Sequence, residues 1–76
     1  MQFVTRKTKV SEVDSWDEVY SSDHGTVWYA SNFHGYYKTI LGDKTKYFKG
    51  ETAWSDVERY FHDAGDWACN VWWRNQ

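Results

Sequence analysis

The sequence predicts an α+β fold: a three- to four-stranded, mainly antiparallel sheet with one or two helices packed on one face. Three observations lead there. Apolar residues recur every three or four positions in two segments, 10–20 and 53–64, which is helical spacing. Between them lie runs of β-branched and aromatic residues separated by glycine-containing breaks, the pattern of short strands joined by turns. A final stretch, 66–73, alternates apolar and other residues. A single domain over residues 1–76 is expected, because a chain of this length has room for one core.

Taken in order, Phe3-Val4-Thr5 is β-prone and predicts a short first strand. Val10, Val13, Trp16 and Val19 or Tyr20 then fall on one helical stripe, with Ser11 and Asp14, or Ser15 and Glu18, suited to close its first turn. Ser21-Ser22-Asp23-His24-Gly25 stops that element. Three strands in a meander follow: 26–33, 36–41 and 45–49, with Gly42-Asp43 as the tight turn between the second and third. Thr52 is placed to cap a helix whose stripe is Ala53, Val57, Tyr60, Phe61 and Ala64, and Gly65 supplies its left-handed stop. The alternation at 66–73 reads as a last strand with Trp67, Cys69, Val71 and Trp73 on one face.

The core must be built from rings. The chain has six Trp, six Tyr and four Phe, whereas Leu41 and Ile40 are its only Leu and Ile. Each ring buries roughly 150–250 Å², so a few suffice for a domain this small, and the surplus is expected at the surface or at an interface. One cysteine, Cys69, allows no internal disulfide, and no apolar stretch reaches the length of a signal sequence or membrane span. A reducing, cytoplasmic setting is the expectation.

Charge is segregated although the net value is only -2. Arg6, Lys7 and Lys9 form a basic block. Residues 10–37 hold Glu12, Asp14, Asp17, Glu18 and Asp23 and no Lys or Arg. Lys38, Lys44, Lys46 and Lys49 form a second basic block around Asp43, and Glu51, Asp56, Glu58, Asp63 and Asp66 form a second acidic one around Arg59. Such blocks bear on partners rather than on fold.

Catalysis finds little support. Cys69 lies in an apolar alternation, where a thiol is normally an inert small hydrophobe, so pairing it with His24, His34 or His62 as a nucleophile is disfavoured. His62, Asp63 and Asp66 lack metal-ligand spacing, and the five glycines are scattered singly rather than gathered in a phosphate loop. No enzyme, cofactor or metal is expected; the function should be binding. One candidate surface is the hairpin in which Tyr36, Tyr37, Lys38, Lys44, Lys46, Tyr47, Phe48 and Lys49 interleave rings with ammonium groups, as single-strand nucleic-acid binders do. Cross-strand core packing explains the same rings, and the sequence pI of 5.8 argues against a phosphate ligand. The other candidate surface is acidic, presenting carboxylates to the basic groove of a DNA-handling enzyme.

Residues 43–73 carry Asp43-Lys44 at a turn, Lys46-Tyr47-Phe48-Lys49-Gly50, and then Ser55-Asp56-Val57-Glu58-Arg59-Tyr60-Phe61 on a helix. This segment resembles the small dimeric uracil-DNA glycosylase inhibitors of Bacillus phages. The resemblance implies a phage-type inhibitor whose acidic face mimics DNA and whose apolar pocket captures a protruding residue of a host DNA-repair glycosylase, with no direct nucleic-acid contact and no membrane. It further implies Val57, Glu58 and Phe61 at the contact with Asp56 alongside, in the host cytoplasm; Glu51 and Trp54 complete the expected partner-binding set, and Trp54, with Trp72 and Trp73, is also a candidate for a dimer seam. Val57 departs from the aromatic residue expected there, and the choice between monomer and homodimer stays open. An inhibitor of another host defence nuclease, of the restriction or CRISPR kind, would use the same acidic logic.

Overall fold

The structure, a computed structural model, describes residues 2–3 and 7–70. Among these the order of elements is β1 (Gln2–Phe3), a 3-10 turn (Val10–Glu12), β2 (Trp16–Ser21), β3 (Gly25–Ala30), β4 (Phe33–His34), β5 (Tyr36–Leu41), β6 (Lys44–Lys49) and α1 (Ala53–Asp63). Strands β2-β3-β5-β6 form one antiparallel sheet in that order, and β1 and β4 form a separate parallel pair. The helix packs against β5 and β6. The fold is therefore α+β, with a single α-helix on one face of a four-stranded antiparallel sheet.

Leu41 pairs with Lys44, which leaves Gly42-Asp43 as a two-residue turn. Gly42 takes φ 64°, the positive value required at the first central position of a type II′ hairpin.

Directly opposed residues in an antiparallel sheet point to the same side. Tyr20, Val27, Thr39 and Phe48 face the helix, as does Tyr37, which pairs with Phe48. There Val19, Val27 and Tyr37 meet Ala53, Val57, Phe61 and Cys69 in the main core. Val27, Val57 and Phe61 are 0% exposed. Rings do the packing that aliphatic residues perform elsewhere: Tyr20 meets Phe61 edge-on at 6.0 Å and Phe48 lies 5.5 Å from Tyr60. Phe61 closes the helical stripe begun by Ala53 and Val57, one turn apart each.

Thr52 does occupy the N-cap of α1, but its hydroxyl donates to the Asp56 carboxylate at 3.3 Å and caps no backbone N–H. At the other end Gly65, at φ 99°, donates its N–H to His62 O at 3.0 Å, and Asp66 N–H donates to Phe61 O at 2.9 Å. Those two bonds satisfy the last carbonyls of the helix and turn the chain back toward the sheet.

Two expectations need correction. The segment read as a first helix is a 3-10 turn followed by β2, an edge strand. The reason is a bulge: Glu18 pairs with Trp28 and Tyr20 with Val27, so Val19 is an extra residue. The extra residue puts Val19 and Tyr20 together on the core side while Trp16 faces the opposite side, and the apolar residues land three and four positions apart as in a helix. Second, the alternation after the helix does not make one face: Trp67 is 75% exposed whereas Cys69 is wholly buried, and residues 67–68 form a turn. Val71, Trp72 and Trp73 of the expected last strand, like Val4 and Thr5 of the first, lie outside the described residues.

Candidate functional site: the open face of the sheet

The sheet face opposite α1 carries three cross-strand rows. Trp16 pairs with Ala30 and Tyr36 with Lys49; Glu18 pairs with Trp28, Trp28 with Lys38 and Lys38 with Tyr47; Ser21 pairs with Thr26, Thr26 with Ile40 and Ile40 with Thr45. The first row is partly roofed, since Ala30, Phe33 and Tyr36 form a small second core with Val13 and Trp16. Tyr47 then extends the ring cluster outward. It lies 6.0 Å from Trp16 and 6.3 Å from Tyr36, and it is 38% exposed. Trp16 meets Tyr36 edge-on at 5.4 Å.

Two ammonium groups stand among these rings. Lys38 Nζ sits 5.1 Å over the Trp28 ring, and Lys49 Nζ sits 5.9 Å from the Tyr36 ring, within the range of cation–π attraction. Burial, with Tyr47 and Glu12 adding to it, pushes the Tyr36 phenol above its ordinary value, so it keeps its proton. Lys49 Nζ also donates to Thr8 O at 3.0 Å. That bond brings Lys7 and Lys9, two members of the first basic block, to the end of β6 and so joins two basic blocks far apart in the chain. On the outer strand Lys44 and Lys46 are exposed, and Lys46 Nζ packs 4.9 Å from Tyr60 of the helix. The sheet is thus polarised: acids on β2 and its flanks, lysines on β5, β6 and the N-terminal segment.

A second polar cluster lies where the β2–β3 turn meets the end of α1. Asp66, 4% exposed, accepts from Tyr20 Oη at 2.7 and 2.8 Å and from Ser22 Oγ at 2.6 Å. His24 Nδ1 lies 3.7 Å from the same carboxylate. Burial works to raise the Asp66 carboxyl, but the hydrogen bonds from Ser22 and Tyr20, the nearby His24 and the Ala68 backbone outweigh it and hold it below the usual value. The Tyr20 phenol is raised, by burial first and by its bond to Asp66 second. Ser, His and Asp are the residue types of a hydrolytic triad, yet here Ser22 gives its proton to the carboxylate and not to the imidazole. The arrangement fastens helix to sheet and leaves no activated hydroxyl. Likewise His62 Nε2 lies 3.1 Å from the backbone oxygen of Cys69. Among the described residues no three of the His, Cys, Asp and Glu side chains gather around a common point suited to a metal ion.

The residues expected at a contact on the helix do not form one surface. Val57 and Phe61 lie at the bottom of the core and have no surface to offer a partner. Asp56 and Glu58 are two positions apart, about 200° around the helix, and so lie on opposite flanks. Asp56 is exposed and accepts from Thr52, whereas Glu58 is partly buried, its Oε2 enclosed without a hydrogen-bond partner. Trp54 is 40% exposed and Glu51 is exposed.

The hairpin residues separate in a comparable way. Tyr37 and Phe48 turn into the core; Tyr36, Lys38, Tyr47 and Lys49 share the open face. Trp28 and Glu18, which complete that face, escaped the sequence reading. Trp28 carried a usable signal, because its even-numbered position in β3 matches Lys38 across a meander. Glu18 carried none, being hidden by the bulge.

Comparison with models of protein families, with curated proteins and with solved structures found no match. Among the described residues no helix is long and apolar enough to cross a membrane.

Proposed function

We propose that this protein is a non-catalytic binding module of the cytoplasm whose open sheet face takes up single-stranded nucleic acid. One observation carries the reading: accessible rings and ammonium groups coincide on the sheet face opposite the helix, with Tyr47 beside Trp16, and Lys38 over Trp28. Bases of any identity have π faces that stack on such rings, and lysines neighbouring them neutralise phosphates. The acidic residues do not oppose this, because those of residues 10–37 gather toward β2 while the lysines line β5 and β6. On the open face the positive charge comes from Lys38 and Lys49, since Lys44 and Lys46 turn to the helix side. The test is titration with a fluorescent single-stranded oligonucleotide at low and at moderate salt. Saturable binding that weakens with salt and quenches Trp emission supports the reading; no saturable binding at low salt retires it.

The acidic half of the sheet favours a second reading. Residues 10–37 carry five carboxylates and no base, and exposed Asp17 and Glu18 sit on an edge strand. In that reading the protein is a phage-type inhibitor that presents this edge to the DNA groove of a host enzyme, uracil-DNA glycosylase being the specific candidate. The contact would centre on β2, with Asp56, Glu58, Glu51 and Trp54 secondary and Val57 and Phe61 supporting from beneath. Assay of uracil excision decides it: near-stoichiometric inhibition supports this reading, and full activity in the presence of excess protein removes it.

A further inference from the structure

Glu18 is out of place on a surface meant for phosphates, and its position suggests what it is for. It lies directly across the ladder from Trp28, which in turn opposes Lys38, so acid, ring and base stand in one row on the open face. Opposed Cβ atoms are about 5 Å apart, which puts the Glu18 carboxylate beside the edge of whatever stacks on the Trp28 ring. The other end of the row carries Lys38 and then Tyr47, with Lys49 on the same face in the neighbouring row, and these two lysines are where phosphates are stabilised. A nucleotide bound across this row has its backbone toward β6 and its base edge toward β2. At that edge stands a group that only accepts hydrogen bonds.

We infer that Glu18 is a specificity-determining residue: with a base stacked on Trp28, its carboxylate accepts from the exocyclic amino group and selects cytosine over thymine. This rests on the nucleic-acid reading of the open face. Cytosine presents an N4 amino donor where thymine presents the O4 acceptor, so a carboxylate attracts the first and repels the second. The two pyrimidines stack alike, which leaves the edge as the discriminating feature. Lys38 spans the free and bound states: in the free protein its ammonium covers the Trp28 ring at 5.1 Å, and its flexible stem lets it move to a phosphate when a base takes that position. Glu18 also has the ordinary role of an edge-strand charge that discourages sheet-to-sheet pairing, and that role alone predicts no base preference.

The experiment compares oligo-dC with oligo-dT of equal length, at neutral pH and one salt concentration, on the wild type and on Glu18→Gln. The wild type is expected to bind oligo-dC about tenfold more tightly, the value of one good base-edge contact. Glu18→Gln, whose amide both donates and accepts, should bring the two within about twofold, chiefly by tightening oligo-dT. Equal affinity of the wild type for both oligomers overturns the inference and leaves the binding face intact. The same holds if Glu18→Gln tightens both by one common factor, since Glu18 then acts only as a charge. Failure of both oligomers to bind the wild type removes the nucleic-acid reading itself.

Discussion

Asp66→Ala is the substitution whose cost follows most directly from the structure. Asp66 is the one strongly buried carboxylate among the described residues, and it ties three elements together: the end of α1 through its own backbone, β2 through Tyr20, and the β2–β3 turn through Ser22 and His24. Two hydroxyls donate to it, and a hydrogen bond to a charged group contributes about 1.5–3 kcal/mol. Tyr20 and Ser22 are only partly buried, so water replaces part of what is lost, and the low end applies to each bond. The sum is about 3 kcal/mol, a large share of the roughly 4–11 kcal/mol that a domain of this size holds. Urea denaturation followed by Trp fluorescence reads it: with a slope near 1 kcal/mol per molar, the midpoint should fall by about 3 M. Tyr20→Phe removes one of the two donors and should cost about half as much. The pH dependence carries a second signature. Because the folded-state carboxyl is held below its ordinary value, the unfolded chain takes up the proton first as pH falls. The stability from this group is present above about pH 4 and is lost as pH drops through the folded value. Asp66→Asn should flatten that acid limb. A variant Asp66→Ala within about 0.5 kcal/mol of the wild type, with an unchanged acid limb, would refute the reasoning.

Other consequences are equally concrete. Phe61→Ala removes a wholly buried ring at the centre of the core and should cost about 3–5 kcal/mol, measured by the same urea titration; a smaller loss would mean that Tyr20 and Tyr60 close the gap. Trp28→Ala should weaken oligonucleotide binding by about 1–3 kcal/mol while leaving the urea midpoint nearly unchanged, since that ring faces away from the main core. Lys38→Gln should reduce the slope of log affinity against log salt by about one phosphate contact, read from anisotropy titrations over a salt series. Trp54→Ala, on the helix side, should leave oligonucleotide affinity within experimental error in those titrations.

Where one periodicity runs uninterrupted, sequence and structure agree. The strands at 36–41 and 44–49 and the helix at 53–63 each keep a single period between glycine-bearing breaks, whereas the run expected as one strand over 26–33 ends at Ala30, with residues 31–32 in a turn and Phe33–His34 pairing with β1 instead. The edge strand β2 was read as a helix because its bulge converts a period of two into spacings of three and four. The open face was legible only in part for a related reason. Composition reveals that rings and lysines interleave in residues 36–49, but register alone decides that Tyr36, Lys38 and Tyr47 share one face while Tyr37 and Phe48 turn to the other. The contact between Lys38 and Trp28 spans two strands and leaves no local pattern. Asp66 illustrates the limit most sharply: a carboxylate just after a helix stop looks like an ordinary solvated acid, and its partners Tyr20 and Ser22 are more than forty residues away. Val57 and Phe61 carried the opposite hazard, since their apolar stripe on α1 suits a partner's pocket as well as the protein's own core.

In the proposed function the sheet face opposite α1, and not the helix, is the binding surface. Side-chain indole N–H signals test it directly, because Trp16 and Trp28 lie on that face while Trp54 and Trp67 lie exposed elsewhere. In two-dimensional NMR of the nitrogen-labelled protein, a saturating single-stranded oligonucleotide should shift the Trp28 and Trp16 indole signals and leave those of Trp54 and Trp67 in place. Shifts confined to Trp54 and Trp67, with Trp28 unmoved, would contradict the account.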